Sequence, residues 1–335
     1  MRLLGSLLSV LVTLLGLAAL TFCIGRLLPV DPVLAILGEG ASPEAYAALH
    51  HQLGLDRSLA EQFWRYLLDL LHLDFGLSLV SGQPVLADIA RVFPATLELA
   101  SVAMLIGTLL GIPLGVLAAM RRNGPLDHGV RIVGLLCYST PSFWLGLMAL
   151  ALFYAALGWV GGPGRLDFAY QWNYQNVTGF VLLDALWQGE WAVLRNAWAH
   201  LVLPASILGL SAFAYISRMT RSFMLEQLQQ EYIVTARVKG LSWTRTVWLH
   251  AFPNIAVQLV TVVALAYAFL LEGAVLIETV FAWPGFGRYM TNALMAGDMN
   301  AVVGCTLLVG LIFVLLNLFS DLLYRLLDPR TREAL

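Results

Sequence analysis

Two acidic side chains, Glu272 and Glu278, interrupt an apolar run from Pro253 to Phe281. A carboxylate at the centre of a bilayer costs about 2.5–3.5 kcal/mol on insertion scales, so Glu272 must meet protein or water rather than lipid. It either lines a polar path, where it could receive an amine, or hydrogen-bonds a neighbouring span. Glu278, near the outer end of the run, is also a pathway candidate and is expected to organise that end rather than touch a solute. A third polar interruption, "YSTPSFWLG", places Pro141 and Ser142 inside another apolar run. Proline within a helix frees a carbonyl and kinks the chain, and Ser139, Thr140 or Ser142 could satisfy what it frees. The kink is then either a hinge beside a pathway or static packing. Asp321, four residues before Arg325, reads as half of an intrahelical pair.

Other chemistries lack their residues. The six histidines, at 50, 51, 72, 128, 200 and 250, show no H-E-x-x-H or clustered ligand spacing, so no metal site is expected. Cys23, Cys137 and Cys305 lie in apolar runs and read as small buried residues. A phosphate-binding loop needs G-K-[ST], whereas the only lysine, Lys239, follows Val238. Neither G-x-S-x-G nor paired intramembrane aspartates occur, so no catalytic residue is assigned.

These residues must be positioned by membrane-spanning helices. The chain has 335 residues, 59% hydrophobic and 12% charged, with a mean hydropathy of +0.78. A soluble domain carries about 25% charge, so the composition reads as an all-α polytopic membrane protein. Six runs approach the roughly 20 residues that cross a bilayer: Leu3–Leu28, Ala95–Met120, Val130–Val160, His200–Met219, Pro253–Phe281 and Ala301–Leu327. The first is too long for a signal-peptide core and no A-x-A site follows, so it reads as a retained span over 1–28. Twelve of the nineteen basic residues fall on one side of such an arrangement, including the short "RRNGPLDHGVR" loop. By the positive-inside rule both termini are expected in the cytoplasm. A net charge of −2 without a basic tail gives no reason to expect nucleic acid.

On the outer side, 29–94 reads as an inserted segment with helical pieces capped at Ser42 and Ser58, and 95–335 as the core domain. A second outer segment, Gly161–Ala199, carries Trp172, Trp187, Trp191 and Trp198, with Trp159 at its edge. It is either an interfacial aromatic belt or the wall of a vestibule. On the inner side a polar loop runs over about 220–252. Within it, Glu226 to Lys239 reads as a surface helix whose Leu225, Leu228, Tyr232, Thr235, Ala236 and Lys239 share a face. Acids at its start and Arg237 and Lys239 at its end suit the helix dipole, and Gly240 supplies a left-handed stop. One lysine and few arginines fit a protein-docking surface better than a polybasic lipid anchor.

The same loop resembles a motif of ABC importer permeases, E-A-A-x3-G-x9-I-x-L-P. Aligned on Gly240, this chain reads Val234-Thr235-Ala236, three residues, Gly240, nine residues and His250-Ala251-Phe252-Pro253. The second alanine, the glycine and the proline match, while Val234, Thr235, His250 and Phe252 depart. "RLLPVDPVLAILGEGASPE", "HLDFGLSLVSGQPVLADIARVFPATLELA", "YSTPSFWLG", "AVLIETVFAWPGFGRYM" and "SDLLYRLLDPRTR" are similar to the dipeptide, oligopeptide and nickel importer permeases. The resemblance implies a type I importer permease fold in the bacterial cytoplasmic membrane, forming half of a channel. It also implies a coupling helix that docks a cytoplasmic ATPase through Glu231, Tyr232, Thr235, Ala236, Lys239, Gly240 and Leu241. Partners would be a homologous second permease, completing a heterodimer, two ATP-binding subunits or one dimer of them, and an extracytoplasmic solute-binding protein. ATP and Mg would sit on the ATPases, and this chain would hold no cofactor. The cargo would be a peptide or a peptide-like or metal-chelate solute, including nickel chelates or metallophores. Two other classes remain: an ion-gradient-driven secondary transporter or channel, which commonly shows repeats absent here, and a membrane enzyme.

Overall fold

In lipid every backbone polar group must be satisfied within its own segment, which leaves helices as the form for long apolar runs. A computed structural model, describing residues 2–27, 32–38, 40–52 and 54–327, is built that way. Its helices are α1 (Arg2–Leu27), α2 (Pro32–Leu37), α3 (Pro43–Gln52), α4 (Leu59–Leu71), α5 (Val85–Met120), α6 (Pro125–Ser139), α7 (Ser142–Ala149), α8 (Phe168–Asn173) and α9 (Val181–Gln188). There follow α10 (Trp191–Gln227), α11 (Glu231–Val238), α12 (Trp243–Thr246), α13 (Phe252–Val280), α14 (Phe286–Ala296) and α15 (Met299–Leu327). Wide π-turns over Leu150–Ala156 and Val247–Ala251 extend α7 and join α12 to α13.

Among the described residues, four helices are long and apolar enough to cross a membrane: Val85–Met120, Trp191–Gln227, Trp243–Val280 and Met299–Phe319. The pair Pro125–Ser139 and Ser142–Ala156, bent by 99°, makes a fifth. The first expected span falls on α1, whose apolar described part is Val10–Cys23. Two expected span starts move. α5 begins at Val85 rather than Ala95, with Pro94 inside it, and α10 begins at Trp191 rather than His200, with Pro204 inside it. Both prolines are tolerated because neighbours at membrane depth can satisfy what they free. The Asp321–Arg325 pair lies outside the residues whose side chains are described.

The chain divides into two compact units, one of residues 1–93 and 289–314, the other of 94–288 and 315–335. Within the first, Thr21 on α1 hydrogen-bonds Tyr66 on α4 at 2.9 Å, and Phe22 meets Phe63 edge-on at 5.2 Å. The expected caps at Ser42 and Ser58 accept the amides of Ala45 and Glu61. Buried Asp298 accepts the Ser78 hydroxyl at 2.6 Å and the Ala301 amide at 3.1 Å, capping α15. Asp88 takes Arg91 at 2.5 Å, Ser81 and the Tyr289 hydroxyl at 3.3 Å. Burial pushes that tyrosine up to about 12, so it stays a neutral donor.

The second unit holds the main core. Leu99 and Ala103 of α5, Leu201, Leu208 and Ile216 of α10, and Ala266, Leu270, Ala274 and Ile277 of α13 pack in one cluster. Close approach of α5 and α10 depends on Gly107, Gly111 and Gly115, spaced by four. A Cβ at Gly107 would sit 2.5 Å from that of Ala212, and one at Gly115 would sit 2.7 Å from the Ser217 carbonyl oxygen. Small residues at this spacing let helix backbones approach within a membrane. Fully buried Asp127, in the first turn of α6, receives Arg221 of α10 through two bonds at 2.6 and 2.8 Å and the Asn123 amide at 2.9 Å. A buried carboxylate is affordable with that many donors.

Candidate functional site

The polar loop is better defined than its composition suggested. The expected single helix from Glu226 is two: α10 continues to Gln227, residues 228–230 turn, and α11 starts at Glu231. Apolar neighbours on α5 and α13 keep α10 helical beyond the apolar run. α11 ends as expected. Gly240 has φ +85°, its amide donates to the Arg237 carbonyl at 3.0 Å, and the Leu241 amide reaches back to Ala236 at 3.3 Å. This pairing is a Schellman stop, which a left-handed glycine permits. The Arg237 side chain adds a bond to the Leu241 carbonyl at 3.2 Å and lies over Trp243.

The expected face divides. Leu225, Leu228 and Tyr232 pack inward against a cluster of Val116, Met224, Ile233, Val247, Ile255 and Leu259, and Ala236 is buried. Glu231, Thr235, Lys239 and Gly240 are exposed, with Leu241 half-buried. So Ala236 belongs to the seat of the helix rather than to its outer surface. Ile233, unremarked in the sequence, is the apolar peg; burying such a side chain contributes about 1.5–3 kcal/mol. Outward stand Val234 and Val238, one turn apart and 62% and 83% exposed. Sequence reasoning treated Val234 only as a departure from a motif. Its spacing from Val238 was the available signal.

A polar chain also ties α11 to both flanking helices. The Tyr232 hydroxyl donates to Gln227 at 2.9 Å and accepts from Asn254 at 3.0 Å; Asn254 also donates to the His250 carbonyl. No pattern of spacing marked Gln227 or Asn254 as its partners. Pro253 stands in the first turn of α13, as expected, and the helical stretch before it continues back to Trp243. The π-turn over Val247–Ala251 immediately before it absorbs the missing amide.

The two acids of α13 have opposite surroundings. Glu278 is fully buried: Thr96 donates its hydroxyl to Oε1 at 2.5 Å, and the Arg288 amide donates to Oε2 at 3.0 Å. The Phe286 amide in turn donates to Thr96 at 2.8 Å, and the Trp283 indole donates to the Ala95 carbonyl at 2.9 Å. Glu278 thus closes the start of α14 and fixes "FAWPGFG" against α5. A side chain at Gly285 would collide with the Glu278 carboxylate, and one at Gly287 with the Val275 backbone. Glu272 is exposed, flanked on its face by exposed Phe269 and Leu276. Among the described residues it has no hydrogen bond or ion pair. The interspan bond that one reading supplied is not made among the described residues.

Pro141 is not inside a helix. α6 ends at Ser139, Thr140 is extended, and Pro141 is the residue before α7, with Ser142 half-buried at its first position. Proline disfavours helical backbone at the residue before it, which places the break at Thr140. The Thr140 amide and hydroxyl both donate to the Leu136 carbonyl, at 3.0 and 2.8 Å. In the tryptophan-rich segment, Trp159, Trp172, Trp187, Trp191 and Trp198 are all exposed. That segment is held by Glu98, which pairs with Arg165 and caps the Leu182 amide at 2.8 Å. Arg165 also donates to the Gly179 carbonyl at 3.0 Å and lies 5.5 Å over Trp283.

Comparison with known proteins gives the arrangement a context. Residues 111–333 match the family described as binding-protein-dependent transport system inner membrane component, and residues 2–100 match its N-terminal counterpart. The chain is 47% identical over 317 residues to the probable D,D-dipeptide transport system permease protein DdpB of Escherichia coli K12, covering 94% of this chain and 92% of that one. It is 42% identical over 322 residues to the di/tripeptide transport system permease protein DppB of Pseudomonas aeruginosa UCBPP-PA14, covering 96% and 95%. Among solved structures, an inward-facing MetNI methionine ABC transporter chain matches with a TM-score of 0.52 and 21% identity, covering 72% of this chain and 96% of that one. That likeness bears on the fold alone.

Proposed function

Because the chain belongs to the binding-protein-dependent transport system inner membrane component family, we propose that it forms half of the translocation channel of an ATP-driven peptide importer. A homologous second permease supplies the other half, an extracytoplasmic binding protein delivers the peptide, and two cytoplasmic ATPase sites drive the cycle with ATP and Mg. The relatives' names favour a peptide cargo; none of those compared names a nickel chelate or metallophore.

The observation that carries the reading is α11, a short helix stopped by Gly240, pegged inward by Ile233 and showing Val234 and Val238 outward. Such an element suits a groove in another protein. Closure of an ATPase pair would push on α11, and its ties to Gln227 and Asn254 would pass the displacement into α10 and α13. Glu272 gives the exposed face of α13 a reason not to meet lipid. That face is assigned to the pathway or to the second permease, and the α6–α7 break at Pro141 to a hinge beside it.

Reconstitution tests the reading. Proteoliposomes holding the chain with its partner subunits and binding protein should take up labelled dipeptide only when ATP is inside the lumen that the ATPases face. Uptake by this chain alone under an ion gradient, without ATP, would establish the secondary-transporter reading instead.

A further inference from the structure

The packing of α6 on α10 leaves a cleft of about 460 Å³ that the transport cycle does not account for. Its polar wall carries Arg131, Arg218 and Arg221, with Ser217 and Ser222. Arg221 is neutralised by Asp127. Arg131 and Arg218 have no ion pair among the described residues; Arg218 rests against the rings of Tyr138 and Tyr215, 5.7 and 6.0 Å from their centroids. Three cations therefore line one cleft, and the nearby Asp127, which pairs with Arg221 and also acts on Arg131, supplies a single balancing charge. Arg131 lies six residues into α6 and Arg218 nine before the end of α10, or roughly 9 and 14 Å at 1.5 Å per residue. Both stand at the ends of the apolar runs, Val130–Val160 and His200–Met219, where the polar headgroups of a bilayer lie.

The other wall of the cleft is apolar and continues onto an uncovered helix face. Ile132, Leu135 and Leu136 of α6 are 58%, 64% and 60% exposed. A cationic pocket opening onto an apolar stripe has the layout of an amphiphile, with an anionic head and a hydrocarbon tail. We propose that this cleft binds the phosphodiester headgroup of an anionic phospholipid, with Arg131 and Arg218 holding the phosphate and an acyl chain lying along Ile132, Leu135 and Leu136. Ser217 and Ser222 offer hydroxyls to the same headgroup. Basic pockets between spanning helices recognise lipid phosphates in this way. Charge complementarity and the continuous apolar stripe favour lipid over a soluble phosphate or an acidic protein segment.

The test is native mass spectrometry of the purified permease complex titrated with phosphatidylglycerol, phosphatidylcholine or inorganic phosphate. The chain should retain phosphatidylglycerol in preference to phosphatidylcholine. Arg131→Gln with Arg218→Gln should lower that retention by about thirtyfold, given the attraction contributed by each surface cation. The paired lysine substitutions should preserve it, which separates lost charge from lost folding. Equal retention by the native and glutamine forms would overturn the proposal. So would protection against heating by inorganic phosphate alone, which would make the ligand a free anion. Crosslinking of a cysteine at Ile132 to an acidic segment of the second permease, with no lipid bound, would overturn it in favour of a protein contact.

Discussion

Two carboxylates six residues apart on one helix meet opposite physics. Glu278 accepts from Thr96 and the Arg288 backbone in a fully buried site, whereas Glu272 has no partner among the described residues. Removing Glu278 would leave the buried Thr96 hydroxyl and the partly buried Arg288 amide without their acceptor, at about 1–3 kcal/mol each. Glu278→Ala should therefore lower the thermal stability and yield of the purified complex, by several kcal/mol where the two losses add. Glu272→Gln should leave folding unchanged and alter only peptide uptake, seen in initial rates against peptide concentration at unchanged thermal midpoint. An unaltered uptake curve would remove Glu272 from the pathway, and an unstable Glu272→Gln would make it structural. Both acids were legible in the sequence because charge in an apolar run is conspicuous. Thr96 was not, since a hydroxyl 182 residues away carries no mark of the carboxylate it serves.

At the scale of elements, the long helices were readable and their ends were not. Hydropathy located α5, α10 and α13 and Pro253 marked the start of α13, but α5 runs through Pro94 and a π-turn joins α12 to α13, neither of which was read from the sequence. Proline's local cost is visible in a sequence, whereas the tertiary compensation is not. The reverse holds for Pro141, where the helix does break and turns by 99°. The Gly107-Gly111-Gly115 spacing was present in the sequence and indicates close helix approach. Forcing bulk into that contact should cost at least about 1–3 kcal/mol. Gly107→Leu is expected to lower the thermal midpoint of the complex strongly, while Gly129→Ala, which meets open space, should not. Equal behaviour of the two variants would contradict the account of α5–α10 packing.

For the molecule as a whole, the proposed coupling to ATPases rests on α11. α11 is anchored on its inner side by Ile233, Ala236 and Tyr232 and presents Val234, Thr235, Val238 and Lys239 outward. The stop at Gly240 and the family resemblance could be read from the linear chain. Which residues anchor the helix and which could touch a partner needed the packing of α5, α10 and α13 around it, because a helix of eight residues has too few turns for its buried face to stand out. The most direct measurement is co-purification of the native complex beside two variants. Gly240→Pro cannot adopt the left-handed backbone at that position and loses its amide bond, whereas Val234→Glu with Val238→Glu changes only exposed positions. The account predicts that the native chain carries both the ATPases and a second permease, and that each variant keeps the permease but loses the ATPases. Full retention of the ATPases by the doubly substituted valine variant would contradict it.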